Sequence, residues 1–213
     1  MHSAKKTAII ITNHAPDEII SGYAQITGDI FAVDQGLQKI RALGLKPSFI
    51  IGDFDSLDES LLLEYQSTPI IRHKTEKNET DTELALQFCV ESGKYDKILI
   101  CNDMQGRFDH ALAIAQNLYW LHGLGMRAAI ECADQRIFFL DKHSVLYVPQ
   151  NTLLSLIPWS DYVFFEYSLG LAYPLDLLKI SKHQSRGISN VCLESEIEIS
   201  LESGTVLAIL TYQ

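Results

Sequence analysis

Short apolar runs alternate with longer helical patterns from position 6 to about position 131. The runs are rich in branched residues and are short enough for buried strands. They are TAIIIT (7–12), DIFAV (29–33), SFIIG (48–52), PIIR (69–72), KILIC (97–101) and RAAIE (127–131). The helical patterns between them end at Gly44, Gly93 and Gly123. This alternation predicts an α/β domain over residues 1–133, with a mainly parallel, Rossmann-like sheet covered on both faces.

The pattern changes after about Ala133. The later runs are strand-like, are separated by turn residues and show no helical period of useful length. They read RIFFL, SVLYV, TLLSLIP, VFFEY, EIEISL and TVLAIL. The segment EIEIS at 196–200 alternates polar and apolar residues, which indicates a strand with one face in water. We therefore predict an all-β domain over residues 134–213, built as a sandwich or a jelly-roll-like barrel.

Composition narrows the class of protein. Of the 213 residues, 47% are hydrophobic and 21% are charged, which is typical of a globular protein. No apolar run approaches the roughly 20 residues of a membrane span, and the start turns polar too soon for a secretory signal, so we expect a cytoplasmic protein with no membrane partner. The formal net charge of −10 disfavours a nucleic-acid surface but is compatible with a cationic substrate or a metal-bridged anion.

Aspartates follow three of the predicted strands. Asp34 comes after DIFAV, Asp53 and Asp55 come after SFII, and Asp103 comes after KILIC. Ligands of an open parallel sheet gather beyond the carboxyl ends of its strands. In an extended backbone Asp53 and Asp55 point to one face while Phe54 points to the core, and such a pair needs a cation, a proton or open water. The alternative for any single aspartate is a helix cap or an Asx turn.

The segment KNETDTELAL at 77–86 predicts the start of a helix. Thr80 and Glu83 fit a capping box, which places Asp81 in the first helical turn. There Asp81 either complements the helix dipole, which contributes about 0.3 to 1 kcal/mol, or binds the same metal-bound anion as the other aspartates. In the second case Lys77 supplies positive charge.

The segment QGRFDHALA at 105–113 places a cation where a helix is expected to begin. That position is slightly unfavourable for Arg107 unless an anion lies between it and the helix. Phosphate oxygens bound by helix N–H groups and by Arg107 would explain the placement, with Gly106 permitting close approach. The alternative is an exposed arginine that reaches Asp109 or Asp103. His110 is a candidate base, although a histidine on a helix face is more often structural.

The second half contains one unusually polar, turn-prone segment, GLAYPLDLLKISKHQSRGISN at 170–190. Ser189 and Asn190 offer hydrogen-bonding groups on a loop, while Tyr173 and Trp159 offer flat faces for a ring or a cation. Most such residues are structural, so the segment alone does not assign a function.

Six segments in this order and spacing resemble the thiamine pyrophosphokinase family. They are DQG (34–36) for the family's D-G-G or D-G-A, GDFDS (52–56), TDTELAL (80–86), GRFDH (106–110), GLAYPL (170–175) and SRGISN (185–190). The matches cover nearly the whole chain, and six in register are far more specific than one.

The resemblance implies an N-terminal α/β catalytic domain that binds ATP and Mg²⁺, and a C-terminal β-sandwich that binds thiamine and takes part in dimerisation. It also implies a homodimer with active sites near the subunit interface. In the implied reaction, ATP donates pyrophosphate to the hydroxyl of thiamine, giving thiamine diphosphate and AMP. The protein needs to supply chiefly positioning and electrostatic stabilisation of the phosphate charge.

The resemblance also implies roles for individual residues. Asp53, Asp55 and Asp81 are the expected Mg²⁺ ligands, and with Arg107 they form the expected catalytic set. One of the aspartates is the expected base. The expected ATP-binding residues are Asp34, Gly36, Ser56, Lys77, Thr80 and Gly106. The expected thiamine-binding residues are Asp109, His110, Tyr173, Ser189 and Asn190.

Three departures from the family pattern keep other functions open. Asn78 stands where the family usually has an aspartate, NDMQG replaces a glycine-rich approach to Gly106, and Ala172 stands where lysine is common. One alternative is a pyrophosphokinase that acts on another alcohol, such as a pterin. Another is a D-x-D phosphohydrolase, suggested by DFDS alone. A third is a homologue that binds nucleotide or thiamine without catalysis, for which Asn78 is the motive.

Overall fold

The structure is a computed structural model that describes residues 6–23, 28–55, 57, 59–74, 76 and 78–212. The chain divides into two compact units, Met1–Ala133 and Asp134–Gln213. Across the described ranges, no helix has both the length and the apolar character needed to cross a membrane.

The first unit alternates strands with helices. Its elements are β1 (Lys6–Ile11), α1 (Asp17–Tyr23), β2 (Gly28–Val33), α2 (Gly36–Ala42), β3 (Phe49–Gly52), α3 (Glu59–Leu63), β4 (Ile70–Arg72), α4 (Asp81–Ser92), β5 (Tyr95–Cys101), α5 (Phe108–Gly123) and β6 (Arg127–Glu131). The six strands lie where the six apolar runs predicted them. They pair in the order β6-β5-β1-β2-β3-β4, and every pair is parallel.

Apolar side chains cover both faces of these strands. On one face, Ile9 and Ile11 of β1 pack in a buried cluster with Leu37 and Ile40 of α2. On the other face the ring of Phe31 contacts aromatic residues of β3, α4 and β5, namely Phe49, Phe88 and Tyr95. Fully burying a side chain of this size contributes roughly 1.5 to 3 kcal/mol, so the strands are held by both layers.

The order of the strands reverses next to β1. The chain runs outward from β1 through β2 and β3 to β4, and then returns to place β5 on the opposite side of β1. The carboxyl ends of β1 and β5 therefore flank a topological switch point, where open parallel sheets form a ligand-binding crevice.

The second unit consists of strands joined by turns. They are β7 (Gln135–Phe139), β8 (His143–Tyr147), β9 (Leu153–Pro158), β10 (Tyr162–Leu169), β11 (Lys179–Ser181), β12 (Asn190–Val191), β13 (Glu196–Ser203) and β14 (Val206–Thr211). Two antiparallel groups form, in the orders β12-β9-β14-β7 and β11-β10-β13-β8. Residues 134–212, all of them described, contain no helix.

Both antiparallel groups contribute to one buried cluster. Leu154 and Leu156 come from β9 of the first group, and Ile197 and Ile199 come from β13 of the second. Glu196 is exposed and Glu198 is partly exposed, whereas Ile197 and Ile199 are buried, as predicted for EIEIS. Ser200 departs from the predicted alternation, because it is buried and its hydroxyl donates to Glu166 Oε2. The cluster explains why the two groups pack on each other within this unit.

Candidate active site

Three aspartates that are distant in sequence converge at the carboxyl edge of the parallel strands. Asp34 follows β2, Asp53 follows β3, and Asp81 opens α4. One carboxylate oxygen of each lies within 4.8 Å of the others. All three residues are partly exposed. We call Asp34, Asp53 and Asp81 the acidic cluster.

The position of Asp34 depends on a glycine in the neighbouring strand. Asp34 adopts the left-handed conformation, with φ of 47°, in the turn from β2 to α2. Its N–H donates to Ile51 O and its carbonyl accepts from Leu37 N, both at 3.0 Å. A Cβ on Gly52 would overlap Asp34 Oδ1 and would lie 3.1 Å from the ring of Phe54. Gly52 therefore leaves the space that the Asp34 carboxylate occupies.

The backbone around Asp53 differs from the extended form expected from the sequence. Strand β3 ends at Gly52, and Phe54 has φ of 63°. The extended geometry that would turn both carboxylates to one face is therefore absent at Phe54, whose side chain points into the core with 6% exposure. Asp55 N donates to Asp53 Oδ1 at 3.2 Å, which is an Asx turn. Asp55 is exposed and lies outside the acidic cluster, so its role as a metal ligand stays a prediction.

Helix α4 begins as the capping pattern predicted. Thr80 is the N-cap residue with an extended backbone, and its hydroxyl accepts from Glu83 N at 3.2 Å. Asp81 is thus the first helical residue, where its negative charge complements the helix dipole. The same placement brings its carboxylate into the acidic cluster.

Mutual repulsion makes the acidic cluster electrostatically unfavourable as a bare set of charges. Two unit charges 4.8 Å apart repel by about 3 kcal/mol at an effective dielectric constant of about 20. A divalent cation bound between the carboxylates would attract each of them, so the net electrostatic energy of the site would become favourable. Carboxylate oxygens are the ligands that Mg²⁺ prefers, and Mg²⁺ keeps several waters, so a partly exposed set of three carboxylates fits it.

A cation on β4 also lies at this edge, and sequence analysis did not single it out. Gly52 of β3 pairs with Arg72 of β4. The Arg72 guanidinium carbon is 5.2 Å from the centre of the Phe54 ring, within the range of a cation–π contact. The available signal was its position at the end of an apolar run, the next predicted strand after GDFDS in the chain.

The second group of candidates lies on the turn from β5 to α5. Arg107 is the N-cap residue of α5, and its side chain makes a two-bonded ion pair with Asp109, with Nε–Oδ1 at 3.1 Å and Nη2–Oδ2 at 2.5 Å. These bonds are the largest cause of a pKa of about 2 for Asp109, below its ordinary value of 3.8. Of the two readings of Arg107, the structure shows the contact with Asp109, and phosphate binding by Arg107 stays a prediction. His110 is exposed.

The two candidate glycines meet different constraints, close packing at Gly36 and a left-handed backbone at Gly106. A Cβ on Gly36 would overlap the carbonyl of Ile11, so Gly36 lets α2 begin directly against the end of β1. Gly106 has φ of 85°, and a Cβ there would lie 3.7 Å from His14 Cε1. The imidazole of His14 and the turn before Arg107 are therefore neighbours at the switch point.

In the second unit the polar candidates are largely engaged in local structure. Asn190 is 4% exposed, and its side chain accepts from Tyr173 N and Val191 N and donates to Tyr173 O. We call this arrangement the Asn190 junction. Ser189 N donates to Ser155 Oγ at 3.0 Å. The ring of Trp159 packs edge-on against Phe139.

At the Asn190 junction, the side chain that remains accessible to a ligand is that of Tyr173. Tyr173 is 68% exposed, so its ring offers a free face beside the backbone that Asn190 holds. The two remaining predicted residues, Ser56 and Lys77, lie outside the described residues. Asn78 is exposed.

Sequence analysis also overlooked Thr12 and Asn102, which are each 4% exposed at the ends of β1 and β5. Thr12 Oγ1 donates to Asn102 Oδ1 at 2.7 Å. A signal was available, because Thr12 ends one apolar run and Asn102 directly follows another, and the alternating pattern places both runs in one sheet.

The fold and the site together define a class of protein. Its members have a parallel α/β domain in which carboxylates converge at the carboxyl ends of the strands, and the same chain continues into an antiparallel β unit. Comparison with known proteins specifies the class further. Residues 26–130 match the family described as thiamin pyrophosphokinase, catalytic domain. The family model and the relatives described below all indicate the thiamin pyrophosphokinase family.

Relatives extend the similarity over most of the chain. Thiamine pyrophosphokinase of Bacillus subtilis is 28% identical over 203 residues, which are 92% of each chain. The crystal structure of the B. subtilis enzyme matches with a TM-score of 0.86 and 25% identity, over 98% of this chain and 100% of that one. The thiamin pyrophosphokinase structure from Geobacillus thermodenitrificans gives 0.84 and 25%, over 97% and 98%.

Proposed function

We propose that this protein is a thiamine diphosphokinase, which transfers pyrophosphate from ATP to the hydroxyl of thiamine and releases AMP. The observation that carries the proposal is the acidic cluster, in which carboxylates from three separate elements meet within 4.8 Å. The similarity to thiamine pyrophosphokinase of B. subtilis over 92% of both chains supplies the substrate class.

Asp34, Asp53 and Asp81 are the residues that would hold Mg²⁺. A bound Mg²⁺ supplies positive charge to the phosphate oxygens of ATP and reduces the repulsion between the carboxylates. Because Asp55 N donates to Asp53 Oδ1, the Asx turn fixes the orientation of one carboxylate before any ligand binds. Asp55 itself is exposed.

The transfer makes one bond and breaks one bond. The hydroxyl oxygen of thiamine bonds to the β-phosphorus of ATP, and the bond between that phosphorus and the oxygen bridging to the α-phosphorus breaks, so AMP leaves. The hydroxyl proton passes to a base, for which the exposed Asp55 is the candidate. Arg107 would bind the transferred phosphates by exchanging its contact with Asp109 for phosphate oxygens.

We further propose a division of labour between the two units. Met1–Ala133 would be the Rossmann-like catalytic domain that binds ATP, and Asp134–Gln213 would be the β-sandwich that binds thiamine. The exposed ring of Tyr173 would contact a ring of thiamine, held in place by Asn190. A homodimer and a cytoplasmic location are carried over from the family resemblance and from the sequence.

The test is AMP formation from Mg²⁺ and ATP across a panel of alcohols that includes thiamine and a hydroxymethyl pterin. We expect turnover with thiamine and none with the pterin. Turnover with the pterin but not with thiamine would mean that the protein transfers pyrophosphate to a different alcohol. Phosphate release from simple esters without any acceptor would instead support a phosphohydrolase. Binding of ATP and thiamine without AMP would support a homologue that has lost catalysis.

A further inference from the structure

A short segment at the switch point carries Gly106 and Arg107, and it is held by side chains that the proposed chemistry does not use. We call residues 102–107 the β5–α5 loop, because they join the end of β5 to the start of α5. Of the glycine-rich approach expected from the family pattern, this loop retains only Gly106. Side chains of the loop instead make several hydrogen bonds.

The buried amide of Asn102 joins the loop to β1. Its Oδ1 accepts the hydroxyl of Thr12 at 2.7 Å, and the oxygen of that hydroxyl accepts from His14 N at 3.3 Å. The Nδ2 group of Asn102 donates to Asp103 O at 2.8 Å and to Met104 Sδ at 3.7 Å. One side chain therefore ties the first residues of the loop to Thr12, the residue that follows β1.

The neighbouring contacts fix the same stretch of backbone from other directions. Asp103 N donates to His14 O at 2.9 Å, and Asp103 Oδ1 accepts from Ala133 N at 2.9 Å. The thiol of Cys132 donates to Asn102 O at 3.2 Å. The base of the loop is thus bound to the ends of both strands adjacent to β5, whereas Gly106 and Arg107 at its far end are exposed.

We propose that Asn102 is a positioning residue for ATP. By fixing Asp103 and Met104 against Thr12, it sets where Gly106 and Arg107 meet the phosphates. This inference rests on the proposed function. A displacement of about 1 Å in a group that orients substrate lowers rates by as much as about 100-fold, so a buried amide several residues away has leverage on the reaction.

The test uses Asn102→Ala and Thr12→Val, which remove the two halves of the central hydrogen bond. Thr12→Ser keeps the hydroxyl and serves as the rescue variant. Thr68→Val is the matched control, because Thr68 is 5% exposed before β4, at the opposite edge of the sheet. For each variant the measurements are the melting temperature, kcat, and KM for ATP and for thiamine.

We expect Asn102→Ala and Thr12→Val to raise KM for ATP about tenfold and to leave KM for thiamine unchanged. Thr12→Ser and Thr68→Val should retain the wild-type KM for ATP. The proposal is overturned if both test variants lower the melting temperature while KM for ATP stays at the wild-type value. Should Asn102→Ala fail to fold, the pair Thr12→Val and Thr12→Ser decides the matter in the same way.

A binding measurement separates this inference from the proposed reaction. If the wild-type protein makes no AMP with thiamine, the proposed function fails. Positioning is then decided by the dissociation constant of α,β-methylene-ATP with Mg²⁺. A rise of about tenfold in Thr12→Val, reversed in Thr12→Ser, supports the role of the loop, and equal dissociation constants in wild type and Thr12→Val contradict it.

Discussion

The acidic cluster and the Asn190 junction use polar side chains in opposite ways. In the cluster, like charges from three elements stand within 4.8 Å of one another. In the junction, one buried amide satisfies backbone groups of Tyr173 and Val191 and has its own oxygen and nitrogen satisfied in return. The first arrangement brings like charges together, which costs free energy unless positive charge offsets it, whereas the second stabilises the fold. Polar residues that the sequence offered equally as candidate ligand-binding residues therefore have different physical roles.

The largest expected effect is that of Asp53→Asn on catalysis. Loss of one carboxylate should lower kcat by about 100-fold or more, since such electrostatic groups contribute several kcal/mol to the transition state. The melting temperature without ligand should stay the same or rise, because repulsion within the acidic cluster decreases. Asp96→Asn is a matched control, since Asp96 pairs with Arg127 at the other edge of the sheet. Equal losses of activity and of stability in Asp53→Asn would assign Asp53 a structural role.

Gly52→Ala should have the next largest effect on activity. The added methyl overlaps the Asp34 carboxylate, so the cluster has to deform, and kcat should fall about tenfold while unfolding becomes easier by about 1 to 3 kcal/mol. Gly22→Ala in α1 is the control, because a Cβ there meets no other atom within 4 Å. Wild-type kcat in Gly52→Ala, measured as AMP formation, would show that the placement of Asp34 does not matter.

Asn190→Ala should reverse the balance seen for Asp53→Asn. It leaves part-buried backbone groups of Tyr173 and Val191 without their partner, so we expect the free energy of unfolding to fall by about 1 kcal/mol. Chemical denaturation measures this directly. Unchanged stability together with a raised KM for thiamine would mean that the Asn190 amide serves the substrate rather than the loop.

The Arg107–Asp109 ion pair should have the smallest effect on stability, and that effect should change with pH only in acid. The pKa of Asp109 is lowered to about 2 from 3.8, chiefly by the hydrogen bond from Arg107, so the stabilisation is present above about pH 4 and is lost as pH falls toward 2. Stability curves of wild type and Asp109→Asn should run parallel from pH 5 to 8 and converge near pH 2. If the difference in stability between wild type and Asp109→Asn changed between pH 6 and 7, a group other than Asp109 would be responsible.

The elements that a local pattern determines were predictable. Each of the six apolar runs forms a strand, and Thr80 caps α4 as its spacing to Glu83 indicated. The short helices α1 and α3 offer too few periodic positions for prediction. For the site, the positions of the aspartates directly after predicted parallel strands indicated which side chains share the carboxyl edge of the sheet.

The remaining features depend on contacts between distant residues. The left-handed backbone of Phe54 has no sequence signal, since left-handed geometry favours Gly, Asn and Asp. The fit between Asp34 and Gly52 joins two strands, and the bond from Thr12 to Asn102 spans 90 residues. Contacts of this kind can be identified from a sequence only when the register of neighbouring strands is known.

Anomalous diffraction from crystals grown with Mn²⁺ and α,β-methylene-ATP tests the central claim most directly. The account predicts a strong peak bonded to oxygens of Asp34, Asp53 and Asp81, at about 2.0 to 2.3 Å, and shared with phosphate oxygens. A nucleotide bound with its metal at any other residues, or a peak that contacts none of the three carboxylates, would contradict it.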